Sequence, residues 1–145
     1  MRTRGADDVG RFSVDIELAN YGDLEMVRRG LLPPDQVRRE TIRGVVDSGA
    51  VRLVLPEDVV KRLGLPMGGS IPVRYADGRR ARRKQTKGVF ARLLDRDGTF
   101  TAIVEPKRET ALIGAIVLED LDLLVDCTQQ RLVPRDPSGP LSEIE

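Results

Sequence analysis

The chain contains no histidine and no tryptophan, only one cysteine (Cys127), and 3% aromatic residues. Without histidine, Ser-His-Asp and Cys-His catalysis are excluded, as are the commonest zinc sites. A lone thiol closes no internal disulfide and supplies no thiolate metal centre. No apolar run approaches the roughly 20 residues that span a bilayer, so no membrane partner is expected. The first residues, MRTRGADDVGRF, carry charge but no apolar segment of the secretory type. Together with the single cysteine this predicts a cytoplasmic protein. The net charge of +1 points to no partner. Any chemistry must come from carboxylates, hydroxyls, lysines or arginines, and no metal or cofactor is expected.

What is present is enough chain, 145 residues with 40% apolar content, for one domain whose core is built from valine, leucine and isoleucine. Phe12 to Leu18 alternates apolar and polar, the pattern of a half-buried strand. Leu24, Val27 and Leu31 follow at helical spacing before Pro33-Pro34. Val37 to Val46 predicts a second strand, antiparallel to the first. Leu53 to Leu55 predicts a third. Pro56 then opens a short helix with Glu57 and Asp58 in its first turn and Gly64 at its end. Ile71 to Tyr75 alternates again and meets an Asp77-Gly78 turn. A second hairpin is predicted from Val89 to Leu94 and Thr99 to Val104, turning at Asp95 to Gly98. After Leu112-Ile113-Gly114, a short helix over 115–121 and strands at Leu123 to Val125 and Arg131 to Val133 complete the chain. The tail from Pro134, rich in proline, serine and glycine, is expected to fray. The class is therefore mainly β with two or three short helices.

The stretch VVDSGAVRLVLP holds one carboxylate, Asp47, at the end of an apolar strand, followed by Ser48 and Gly49. Glycine allows a tight turn and close approach of a ligand backbone. A serine hydroxyl can hold such a turn. Two carboxylates side by side share one proton, because like charges about 3 Å apart do not both ionise. The ionised member can take a proton from water while the protonated member donates to a carbonyl oxygen.

This stretch resembles the active-site strand of the retropepsin-like (clan AA) aspartic proteases, in which two apolar residues precede Asp-Ser/Thr-Gly-Ala. Downstream, ALIGAIVLEDLDLLVD resembles the second signature of that family: two apolar residues, a glycine and a short helix. The similarity runs from about Phe12 to Val133 and is greatest to the small bacterial members. It implies a closed acid-protease barrel with one lobe per chain. The two-lobed enzymes carry two Asp-Ser/Thr-Gly triplets and this chain has one, so the active unit implied is a C2 homodimer. The activity implied is endopeptidase cleavage of an extended peptide or protein. By the resemblance, Asp47 is the catalytic aspartate, Ser48 crosslinks the two active-site loops, and Gly49 faces the substrate backbone, with Ala50 completing the loop. Leu112, Ile113 and Gly114 pack around that loop. Tyr75, Ala76, Asp77 and Gly78 occupy the flap.

Some positions depart from the family pattern. Viral members pair an acid just after Asp-Thr-Gly-Ala with an arginine after the second glycine; here these places hold Val51-Arg52 and Ala115. Arg52 is expected to pair with Glu119 or Asp120 instead. The segment Ala19 to Gln36 is an insertion relative to the minimal viral fold, and the flap is not rich in glycine. The basic stretch ADGRRARRK (76–84) could bind phosphates, select acidic substrates at the flap, or form a solvated hairpin edge. With few aromatics for stacking, a nucleic-acid partner is not expected. The acids of EDLDLLVD (119–126) lack the spacing of a calcium loop and read as a charged helix end. Cys127 reads as a strand residue. Residues 1–11 are expected to be a flexible segment, 12–134 the domain, and 135–145 a tail. The strands around Thr128 to Gln130 are candidates for a dimer sheet. The competing function is a catalytically inactive dimerisation or peptide-binding module on the same fold.

Overall fold

The structure is a computed structural model and describes residues 11–145. Among these residues nine strands run in chain order: β1 Arg11–Asn20, β2 Arg39–Asp47, β3 Leu53–Pro56, β4 Met67–Arg74, β5 Arg80–Leu93, β6 Arg96–Glu105, β7 Ala111–Ile113, β8 Leu123–Asp126 and β9 Arg131–Pro134. Three short helices interrupt them: α1 Tyr21–Arg28, α2 Glu57–Arg62 and α3 Ala115–Asp120. The predicted mainly-β class with short helices is the class observed.

The main sheet has the order β1-β2-β7-β3-β6-β5-β4, and a further β1–β5 pairing closes its first six strands into a barrel. Closure satisfies strand edges that would otherwise invite pairing with other chains. The alternation read in the sequence points inward. Ile16 and Leu18 of β1, Val89, Ala91 and Leu93 of β5, and Phe100, Ala102 and Val104 of β6 are all buried. Branched aliphatics fill this core almost alone, as the shortage of aromatics requires.

Strand β7 sets the path of the chain around Asp47. It pairs parallel with β2 and antiparallel with β3, and so lies between two strands that are consecutive in the chain. The residues linking β2 to β3 must therefore cross over the end of β7. Gly64, with φ of +65°, stops α2 where expected.

Asn20 at the end of β1 caps α1 through its side-chain oxygen, which accepts from Asp23 N–H at 3.0 Å. Its amide donates to Leu63 O at 2.9 Å, tying the insertion to the end of α2. Arg38 clamps the other side: its Nε and Nη2 each reach Asp23 at 2.9 Å.

Four expectations are corrected. The β5–β6 turn is the pair Leu94-Asp95, both at positive φ (49° and 63°), rather than Asp95 to Gly98. Two residues at positive φ match the twist of the flanking strands. Gly98 serves packing instead, since a Cβ there would lie 2.7 Å from Asp120 Oδ2. Strand β5 starts at Arg80 rather than Val89, so the basic stretch is an integral part of the β4–β5 hairpin. Cys127 is an exposed turn residue rather than a strand residue. The tail is tied back rather than fraying from Pro134. Arg135 pairs with Asp122 at 2.5 Å, Asp122 accepts Leu141 N–H at 3.0 Å, and buried Arg96 donates to Asp136 O. Residues 1–10 of the predicted flexible segment lie outside the described residues, and Arg11 opens β1.

Candidate active site

Strand β2 ends at Asp47. The turn after it is held by Asp47 itself. Gly49 N–H donates to its Oδ1 at 3.0 Å, and Ala50 N–H donates to its backbone carbonyl at 3.1 Å. Ser48 is exposed and makes no side-chain hydrogen bond among the described residues, so the expected serine brace is an aspartate brace. A Cβ on Gly49 would stand 3.3 Å from Asp47 Oδ1, a tight contact with the carboxylate that braces the turn.

Leu112 and Ile113 of β7 pair with Val45 and Val46, directly behind this turn. Gly114 comes next at an ordinary φ of −94°, so its requirement is spatial. A Cβ there would fall 2.6 Å from both the Val51 carbonyl carbon and the Arg52 oxygen. The crossing is then bolted by Ala115 N–H to Ala50 O at 2.8 Å and Ile116 N–H to Val51 O at 2.9 Å. The two sequence motifs, over 60 residues apart, thus form one interlocked unit.

Next to it lies a cleft of about 480 Å³ whose lining includes Gly49, Ala50, Val54 and Leu112 together with Ile71, Val73 and Tyr75 of the β4–β5 hairpin. Asp47, Ser48, Ile113 and Gly114 are not part of its wall. Nor are Ala76, Asp77 and Gly78, which form the exposed tip of the hairpin. That tip is closed by Tyr75 N–H to Arg79 O and Gly78 N–H to Tyr75 O, at 2.8 and 2.9 Å.

The hairpin is latched to the barrel through polar groups that sequence reasoning missed. Tyr75 Oη donates to Glu105 at 2.9 Å, and Arg83 Nε donates to both, at 2.9 and 3.0 Å. Burial and then the neighbouring carboxylate raise the Tyr75 hydroxyl above its ordinary pKa, while the bond to Glu105 raises that of Arg83. Arg79 covers the Tyr75 ring at 4.6 Å.

Two further arginines surround the candidate carboxylate. Arg11 stands opposite Asp47 in the β1–β2 register, its Nε 3.5 Å from Asp47 Oδ2. That nitrogen is buried and has no hydrogen-bond partner among the described residues. Arg108, half-buried, is held below the ordinary arginine range by burial and then by the charge of Arg11. Glu105 and Asp47 oppose both effects. The register that brings Arg11 to Asp47 depends on how the connection between β1 and β2 folds, so only the pairing reveals it.

Arg52 makes no ion pair with Glu119 or Asp120 among the described residues, correcting the expectation. The three line one open cleft with Thr99, Phe100 and Ile116. Asp122 and Asp126, from the acidic stretch, are occupied by Arg135 and Arg131. Strands β8 and β9 pair with each other as a separate two-stranded sheet.

No protein-family model and no curated protein matches the sequence. Among solved structures, the protease of the retrovirus EIAV, complexed with the inhibitor HBY-793, is similar at a TM-score of 0.52 and 15% identity. The match covers 76% of this chain and 86% of that one. At that identity the likeness concerns architecture, and with the closed six-stranded barrel it establishes a retropepsin-like fold.

Proposed function

We propose that the chain is one subunit of a homodimeric aspartic endopeptidase, with Asp47 supplied by each copy to a shared dyad. The observation that supports this most is the interlocked pair of motifs. Asp47 braces its own turn, Gly114 locks it from behind, and a cleft lined in part by a hairpin lies next to it. Ser48 and Ala50 complete the loop, and Tyr75 to Gly78 form the flap over an extended peptide.

In the proposed reaction the ionised carboxylate of the dyad takes a proton from water. The water oxygen attacks the peptide carbonyl carbon while the protonated carboxyl donates to the carbonyl oxygen. As the tetrahedral intermediate collapses and the C–N bond breaks, the carboxyl that took the proton from water gives it to the leaving nitrogen, while the other carboxylate recovers the proton from the hydroxyl that becomes the new carbonyl, which regenerates the dyad. Turnover of an unbiased peptide library tests this. Wild type is expected to show a bell-shaped profile of kcat/KM against pH with its optimum on the acidic side. Asp47→Asn is expected to lose about two orders of magnitude or more. Unchanged cleavage by Asp47→Asn would overturn the assignment.

The Arg11–Asp47 ion pair favours a second reading, in which the fold binds peptides without turnover. A cation beside the carboxylate competes with proton sharing. Under that reading Asp47→Asn keeps its peptide affinity, and wild type cleaves nothing at any pH.

A further inference from the structure

We infer that the cleft beneath the β4–β5 hairpin selects peptides in which acidic side chains are flanked by aliphatic ones. This rests on reading the cleft as a peptide groove. Three arginines, Arg52, Arg74 and Arg108, belong to its wall. None has a carboxylate partner within ion-pair distance among the described residues. The one acid among the described residues of the wall, Glu105, is neutralised by Arg83 at 2.9 Å and accepts the Tyr75 hydroxyl as well. The wall therefore presents surplus positive charge. The half-buried Arg108 has its charge disfavoured by burial and by Arg11, a cost that an incoming carboxylate would relieve.

The rest of the wall is aliphatic. Val54, Ile71, Val73, Ile103 and Leu112 all line it and are all partly exposed. They suit branched side chains on either side of an acid. Outside the cleft, residues 76–84 hold five basic side chains against one acid, Asp77. Asp77 is spent on Arg79 and Arg83 is spent on Glu105. Arg80, Arg82 and Lys84 remain on the exposed face of β5, where their field would steer an acidic segment towards the opening. Phosphates would feel the same field, but stacking is poorly served. Tyr75 is the one aromatic among the described residues of the wall, and Arg79 already covers its ring.

Binding to full-length Asp47→Asn, followed by fluorescence anisotropy, separates specificity from turnover. Two labelled peptides share an aliphatic frame; one carries Asp and Glu, the other Asn and Gln at the same places. At about 50 mM salt the acidic peptide is expected to bind about fivefold more tightly, with the gap closing as salt is raised. Arg52→Gln and Arg74→Gln, both at exposed positions, are together expected to remove most of that gap. Equal binding of the two peptides, or a gap that both substitutions leave intact, overturns the inference. So does a single-stranded oligonucleotide of equal charge that binds more tightly than the acidic peptide and loses affinity in the same variants. Wild-type cleavage without acidic preference would remove this specificity alone. Cleavage unaffected by Asp47→Asn would remove the protease reading and leave the binding result standing.

Discussion

At the scale of single residues, Gly114 and Gly44 carry opposite lessons. A Cβ on Gly114 meets immobile backbone of Val51 and Arg52, whereas one on Gly44 meets the far end of the Ile113 side chain at 2.7 Å. Overpacking against backbone costs about 1–3 kcal/mol, and a side-chain tip can turn away. Gly114→Ala is therefore expected to lower thermal stability by more than Gly44→Ala, and to reduce any activity that depends on the Asp47 loop. Equal melting temperatures for the two variants would contradict the interlock. The second signature was legible as a motif because its glycine sits in an apolar run. Why it must be glycine was not legible, because the atoms that exclude a Cβ belong to residues about 60 positions earlier. Arg11 was hidden for the same reason, and also because charged residues near a terminus resemble a solvated arm.

At the scale of elements, the insertion carrying α1 is joined to the barrel by the Asp23–Arg38 clamp. Hydrogen bonds from the Arg38 side chain hold the Asp23 carboxyl below its usual range, with burial opposing them. Because folding lowers this pKa, the clamp's contribution is complete above the unfolded value of about 3.9 and is lost as pH falls through the folded one. Asp23→Asn is expected to destabilise the chain by about 1.5–3 kcal/mol near neutrality. The gap from wild type should shrink in acid; urea titrations at several pH values measure it, and a gap independent of pH would contradict the clamp. The flap latch gives a second expectation. Tyr75→Phe removes the hydroxyl that bridges to Glu105, so amides at the hairpin tip should exchange with solvent faster while those of β6 do not change. Unaltered exchange at the tip would show that Arg83 alone holds the hairpin. The strands β1 to β3, the helix after Pro56 and the β7–α3 unit were legible from alternation and capping. The start of β5 was not, because Arg83 sits at an inward position and its compensating acid, Glu105, lies on another strand. The β5–β6 turn is masked because Asp97-Gly98 is the stronger local signal, while the observed turn depends on a leucine accepting positive φ.

At the scale of the whole molecule, the barrel is complete within one chain but the proposed chemistry is not. Two large aliphatic side chains stand exposed beside the candidate loop, Val51 at 60% and Ile116 at 42%, joined by the Ile116 N–H to Val51 O bond. If the proposed dimer forms about the Asp47 loop, these side chains are expected to be covered there, which would contribute to association. Val51→Asp is expected to yield monomers in sedimentation velocity and to abolish turnover in the same samples, whereas a variant that still dimerises and cleaves would contradict that placement. Turnover per subunit should also fall on dilution, since association and activity are linked by mass action. The most direct measurement is the separation of the two Asp47 carboxylates in a crystal of the associated protein. The proposed dyad requires symmetry-related oxygens within about 3 Å of each other. A strictly monomeric lattice and solution state, or a dimer whose Asp47 side chains lie far apart and each remains paired with its own Arg11, would contradict it.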